Sequence, residues 1–153
     1  MHIIIAAIGK LSPSAPEHAL MATFLKRLPW QVDMHELQVK KKLPPAKMQA
    51  EEARLLLDVV PRDTQIVMLD ERGKTPSSEA FAGLLCNWQE SGIRRIAFLI
   101  GGAAGHHPSI RERAGYVLSF GPMTWPHMLV RPMLCEQLYR AYTIHTGHPY
   151  HRG

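Results

Sequence analysis

Apolar positions along this chain recur at two periods that take turns, one suited to strands and one to helices. Residues 2–8 (His-Ile-Ile-Ile-Ala-Ala-Ile) form an unbroken apolar run, which predicts a strand covered on both faces. Ser14-Ala15-Pro16 then opens a helix to about Arg27. Ser14 is suited to cap it and Pro16 to begin its first turn, with Leu20, Phe24 and Leu28 as the apolar stripe. Residues 31–39 predict a second strand that slips phase between Val32/Met34 and Leu37/Val39, so it bulges or ends near Glu36. A helix from about Ala46 to Val59 follows, burying Ala53, Leu56, Leu57 and Val60 and stopped by Pro61. Residues 65–70 predict a third strand, and Glu71-Arg72-Gly73-Lys74 a loop. Thr75-Pro76-Ser77 starts a helix carried by Phe81, Leu84, Leu85 and Trp88 and ended at Gly92. A strand at 95–100, a short helix at 108–114, a strand at 116–120 and a last helix to about His145 complete the pattern. Pro132 falls within that last helix and removes a donor, so the helix starts later or bends.

Strands alternating with helices imply an α/β fold, a mostly parallel sheet with helices on both faces. At 153 residues the chain suits a single domain. No run of 18 apolar residues suggests a membrane span. The apolar N-terminus is short and lacks a basic flank, so it reads as a buried strand and not a signal peptide. Cys86 and Cys135 lie far apart without metal-binding spacing and read as buried free thiols of a cytoplasmic protein. The net charge of +5, with nine histidines counted neutral, favours a polyanionic partner. Lys40, Lys41 and Lys42 form either a solvated loop or a sequence-blind RNA contact, and Arg111 and Arg113 on the short helix allow the same two readings.

In an open α/β sheet, ligands bind outside the carboxyl ends of the strands. The loops at 70–75, 101–106 and 120–126 are therefore the candidate site. Gly101-Gly102-Ala103-Ala104-Gly105 reads equally as a nucleoside loop or a tight strand–helix turn. Its GGxxG spacing is not the dinucleotide fingerprint, no acidic residue follows at the expected distance, and no Gly-Lys-Ser/Thr makes a P-loop. Hydride transfer is thereby disfavoured. Ser119-Phe120-Gly121-Pro122-Met123-Thr124-Trp125-Pro126-His127 is unusually apolar for a surface loop. Either its flat side chains and backbone amides face a purine, or it packs under the last helix. His106-His107 reads as a solvated helix start. In the tail, His145, His148 and His151 do not share a helical face, because Gly147 and Pro149 break it, so no metal site is assigned. Tyr150, His151 and Arg152 suit stacking on a base and contact with phosphate, against the alternative of a disordered polar tail.

The order of these segments resembles the RlmH family of SPOUT-class methyltransferases from residue 3 to the C-terminus. The matching stretches are Val67-Met68-Leu69-Asp70 with Gly73-Lys74, Leu99-Ile100-Gly101-Gly102 with Gly105, Met123-Thr124 with Pro126-His127, and Leu129-Val130-Arg131. They end with Glu136 to Ala141 and His148-Pro149-Tyr150-His151-Arg152. The resemblance implies a C-terminal trefoil knot, a cofactor-binding region at about 65–145 and a substrate-facing tail at 146–153. It implies S-adenosylmethionine as cofactor, a homodimer, and methylation of N3 of a pseudouridine in helix 69 of 23S rRNA on the ribosome. No DNA or membrane partner is implied. By position, Leu69, Gly101, Phe120, Gly121, Pro122, Met123, Thr124 and Trp125 would hold the cofactor. Tyr150, His151 and Arg140 would act at the target base, and Arg152 with Lys40, Lys41 and Lys42 would contact RNA. The N3 proton must leave before or during transfer: His151 would accept it, or an arginine would stabilise the developing anion.

Overall fold

A computed structural model describes residues 1–152. Five parallel strands form one sheet in the order β2-β1-β4-β3-β5, with β1 His2–Ile8, β2 Gln31–Leu37, β3 Gln65–Lys74, β4 Arg95–Ile100 and β5 Tyr116–Leu118. The two inner strands with unbroken apolar sequence, β1 and β4, are the most deeply covered, because a parallel sheet is roofed by helices on both faces.

Period-two alternation splits each strand between two cores. Ile3, Ile5, Phe98 and Ile100 face one side, against Met21 of α1 (Pro16–Arg27), Phe81 and Leu85 of α3 (Ser78–Glu90), and Leu134 and Leu138 of α5 (His127–Thr146). Ile4, Ala6, Ala97 and Leu99 face the other, against Ala53 and Leu56 of α2 (Pro45–Asp58) and Ile110 of α4 (Pro108–Arg113). The crossovers through α1 and α3 step one way along the sheet on the first face, and those through α2 and α4 step the other way on the second. All four therefore share one hand, as the common twist of the strands requires. No helix among the described residues is long and apolar enough to cross a membrane.

Local details depart from the pattern reading in four places. The residue capping α1 is Ala15, and no side chain caps the helix, so Ser14 does not take that role. Leu20 is 47% exposed while Met21 is buried, because α1 presents the adjacent stripe to the sheet. Glu71–Lys74 continues β3 instead of forming a loop. Leu69 and Lys74 both pair with Leu118, so residues 70–73 bulge outward at the carboxyl end of the strand. Glycine is required there: a Cβ on Gly73 would lie 2.7 Å from the Val117 carbonyl oxygen. Finally, α5 begins at His127 and continues through Pro132, which sits buried near its start. There the missing N–H leaves only the Met128 carbonyl without its helical donor.

After β5, at the edge of the sheet, the chain crosses the carboxyl ends of its neighbours to reach β1. Met128 and Arg131, in the first turns of α5, lie beside Gly9, which follows β1 with φ of +94°. Arg131 anchors this crossing. Its fully buried guanidinium donates from Nη1 to Glu36 Oε1 (2.8 Å) and from Nη2 to the carbonyls of Ile8 and Gly9 (both 2.8 Å).

Candidate functional site

The segments after β3, β4 and β5 meet in one cleft of about 730 Å³ at the carboxyl edge of the sheet. Leu69, Gly101, Phe120, Gly121, Met123, Thr124 and Trp125 all line it, and Pro122 does not. The apolar loop faces this cleft: Met123 is 69% and Trp125 39% exposed, so neither is packed away under α5. Ser119, itself buried, shapes the turn. Its hydroxyl accepts from the Gly121 N–H (3.1 Å) and lies 3.1 Å and 2.9 Å from the carbonyls of Glu71 and Gly121. Gly121 adopts φ of +113°, which a side chain would resist. Thr124 Oγ1 donates to Glu71 Oε2 (2.9 Å), tying the loop to the β3 bulge. The backbone N–H groups of Met123, Thr124 and Trp125, residues that line the cleft, have no intrachain acceptor among the described residues.

The glycine-rich segment is a tight turn and a wall of the cleft at once. Gly105, at φ of +75°, donates its N–H to the Gly102 carbonyl (3.0 Å). Gly102 lies against α2: a Cβ there would come within 3.2 Å of the Glu52 carboxylate and 3.1 Å of Ile8. Gln49, also on α2, donates to the carbonyls of Ala104 (3.0 Å) and His106 (3.2 Å). His106 is not a solvated helix start. Its Nε2–H donates to the Leu69 carbonyl (3.1 Å), joining the ends of β3 and β4, while Nδ1 is buried without a partner. Burial pushes this imidazole below its usual pKa, which the Leu69 carbonyl only partly opposes, so it is held neutral. The adjacent His107 caps α4 by accepting from the Ser109 N–H (3.2 Å). The sequence placed His106 in a candidate loop, but neither its role nor that of Gln49 behind the wall was legible, because both act through backbone carbonyls that only the fold brings near.

Asp70 marks the rim. It accepts from the Arg72 backbone N–H (2.9 Å), Nε (3.0 Å) and Nη2 (3.1 Å), with Arg111 Nη2 at 3.5 Å. These groups, the Arg72 guanidinium first, hold its carboxyl down to about 2. Since the folded value lies below the unfolded one, the stabilisation is full above the unfolded pKa near 4 and is lost as pH falls through the folded value. Asp70→Asn is therefore expected to cost stability at neutral pH, by at most about 2 kcal/mol because the exposed Arg72 is screened by solvent. The gap from wild type should close between pH 4 and pH 2 in urea titrations; a gap independent of pH would contradict this role.

The tail folds back on its own helices. Gly147 ends α5 in the left-handed region at φ of +68°, turning the chain around. The Tyr150 hydroxyl donates to Glu136 Oε1 (3.1 Å), its ring packs 4.8 Å from that of Tyr139, and the Arg140 guanidinium lies 5.0 Å over it. Arg140 donates to Glu136 Oε1 from Nε (3.0 Å) and Nη2 (2.6 Å). His151 Nδ1 lies 3.4 Å from Arg140 Nη1, and its Nε2–H donates to Glu79 Oε1 (2.9 Å). Burial and the Glu136 carboxylate push the Tyr150 phenol up, and Glu136 raises Arg140 further. The three residues implied for the target base are thus brought together, though away from the cleft in the same chain, whose lining includes none of them. Glu79 and Glu136 organise this cluster; the spacing of Glu136 and Arg140 at i,i+4 was the one readable signal. Arg152 and the Lys40–Lys42 run are exposed.

Comparison with known proteins gives one consistent result. Residues 1–151 match the family model described as "Predicted SPOUT methyltransferase". A protein of Paramagnetospirillum magneticum, 48% identical over 99% of both chains, is named ribosomal RNA large subunit methyltransferase H. So is one of Rhodospirillum centenum, 46% identical over the full length of both. The SpoU methyltransferase AviRb from Streptomyces viridochromogenes, solved in complex with AdoMet, aligns with a TM-score of 0.48 at 15% identity, over 96% of this chain and 61% of its own. By the family match and the full-length relatives, the chain belongs to the SPOUT methyltransferases, within the RlmH family.

Proposed function

We propose that this chain transfers a methyl group from S-adenosylmethionine to 23S rRNA, at N3 of a pseudouridine in helix 69, on ribosomes in the cytoplasm. The observation that carries this reading is the single cleft lined by seven of the eight residues expected to hold the cofactor. Its size lies within the usual range for small-molecule sites. Its lining also fits the cofactor chemically: exposed Met123 and Trp125 offer flat apolar contact, and the free amides of 123–125 offer donors to an adenine edge. The names of the full-length relatives support large-subunit rRNA as the substrate. The crossing of residues 119–127 toward Gly9 is the segment we assign to the family's trefoil knot. We treat residues 1–153 as a single domain, with 65–145 as the cofactor region and 146–153 as the substrate tail; Gly153 lies outside the described residues.

S-adenosylmethionine supplies a methyl carbon already activated on a sulfonium, so no protein nucleophile is needed. The protein's task is to orient the target base and manage its N3 proton. His151 is the candidate acceptor, with Arg140 and Arg152 placed to stabilise negative charge and Tyr150 to stack on the base. Within one chain, His151 and Tyr150 are tied to Glu79 and Glu136 and lie outside the cleft lining. The homodimer supplies the missing proximity, with one protomer's tail facing its partner's cleft. A second cleft of about 660 Å³ between α1, α3 and α5, reaching Glu136 and the exposed Leu20, supports a contact face on that side.

Titration calorimetry with S-adenosylmethionine, followed by mass mapping of ribosomal RNA after reaction, tests the proposal. Micromolar to submillimolar binding and one new methyl in helix 69 of assembled ribosomes are expected. Modification of a different nucleotide would reassign the substrate, and absence of binding at millimolar cofactor would leave a non-catalytic ribosome-binding protein. Sedimentation showing a monomer at micromolar concentration would remove the dimer.

A further inference from the structure

We propose that Arg72 and Arg111, steadied by Asp70 at the mouth of the cleft, form a phosphate-binding rim that seats the RNA backbone. The proposal rests on RNA as the substrate and adds where its backbone is held.

Three observations converge. The Asp70 side chain is only 9% exposed, yet the two guanidiniums it steadies are 73% (Arg72) and 47% (Arg111) exposed. The carboxylate therefore occupies one edge of the Arg72 fork, while Arg111 meets it only at ion-pair distance, 3.5 Å from Nη2, and keeps its other donors toward solvent. Arg72 uses Nε and Nη2 on Asp70, and its Nη1 has no protein acceptor among the described residues. Arg111 approaches from a separate element, α4, so two segments distant in sequence place cations around one acid. Glu71, whose carboxylate accepts from Thr124, offsets the second cation, so the rim offers directed donors and not a net positive field.

Fixing an exposed arginine normally costs rotamer freedom. Asp70 restrains Arg72 through two guanidinium hydrogen bonds and draws Arg111 to the same acid, so an anion meets a rim with part of that ordering complete. Paired guanidiniums with outward forks recognise phosphate oxygens bidentately. The cofactor's own carboxylate is the other anion with this chemistry. Arg72 borders the cleft but Arg111 is not part of its lining, which directs the pair outward toward a polymer lying across the mouth. Arg72 stands in the β3 bulge at the carboxyl end of the sheet, the end at which the three-lysine segment leaves β2, three strands away. A backbone tracking that end would meet both.

The test uses the full-length protein with intact ribosomes and S-adenosylmethionine. In R72A/R111A, the KM for ribosomes should rise roughly tenfold, and the slope of log KM against log salt should fall by roughly 1.5. The kcat and the cofactor Kd should stay at wild-type values. D70N separates ordered contact from simple charge. It raises the net charge, so diffuse attraction would lower KM, whereas loss of the steadied geometry should raise it. R72K/R111K, which keeps charge but not the fork, should recover only part of the loss. Both arginines are exposed, so the double variant is expected to fold, and its urea midpoint confirms this. An unchanged KM and salt slope in R72A/R111A, with wild type active, would overturn the rim alone. Weakened cofactor binding with unchanged ribosome KM would also overturn it, assigning the pair to the cofactor carboxylate. A wild-type protein inactive on ribosomes would overturn the RNA reading itself, and the rim with it.

Discussion

Replacing His151 with alanine should lower kcat by roughly 10²-fold or more at saturating cofactor, the range a positioned proton acceptor contributes. The cofactor Kd should not change, because His151 is assigned to the target base and the cofactor contacts to the cleft loops. The same variant decides between the two fates of the N3 proton. If His151 accepts it, H151A should lower kcat more than R140K does. If arginine stabilises the anion instead, R140K should lower kcat more than H151A does. Turnover of H151A equal to wild type at saturating cofactor would remove His151 from the chemistry. Mixing H151A with a G101V variant, whose cleft is blocked near His106 and Gly105, should restore activity if sites form between two chains. Unmixed variants would then be inactive separately, and failure of mixing would favour a tail that moves within its own chain.

Glu36→Ala is expected to destabilise the protein by about 3 kcal/mol, the lower end of the cost of breaking a buried ion pair. Arg131 is fully buried and Glu36 is 27% exposed, so water entering beside the vacated carboxylate offsets part of the loss. Burial already pulls the Arg131 pKa down, and Glu36 opposes that pull. Without the carboxylate, the guanidinium keeps only the Ile8 and Gly9 carbonyls, and its buried Nε has no partner. Glu36 Oε1 also accepts from the Leu11 N–H (3.1 Å), so the turn after β1 loosens as well. The urea midpoint should fall with an unchanged slope, which reports stability and not a change of surface exposed. Adding Arg131→Met should recover much of the loss, because both charges are then gone. A midpoint within 1 kcal/mol of wild type would mean that the two carbonyls suffice. The functional consequence lies close by: Arg131 holds the first turns of α5 to Gly9, and His127 and Val130 of those turns line the cleft.

The chain's own pattern determined the alternation of strands and helices, the covered character of β1 and β4, and the carboxyl ends of β3, β4 and β5 as the place of the candidate cleft. Those features follow from local periodicity and from turn chemistry, which any window of sequence carries. The ordered motifs from Leu69 to Arg152 also carried the family. What only the tertiary structure decided depends on pairs far apart in sequence. The β3 bulge forms because Leu69 and Lys74 share one partner on β5, a register no local window contains. His106 reads as a polar helix start until the end of β3 brings the Leu69 carbonyl to it. Arg131 reads as one basic residue in an apolar run until β1 and β2 present two carbonyls and a carboxylate to it. The tail, polar and free of pattern, is ordered only because Glu79 and Glu136 lie on helices packed side by side. In each case a polar group finds its partner across the fold, and buried polar groups require partners that periodicity cannot name.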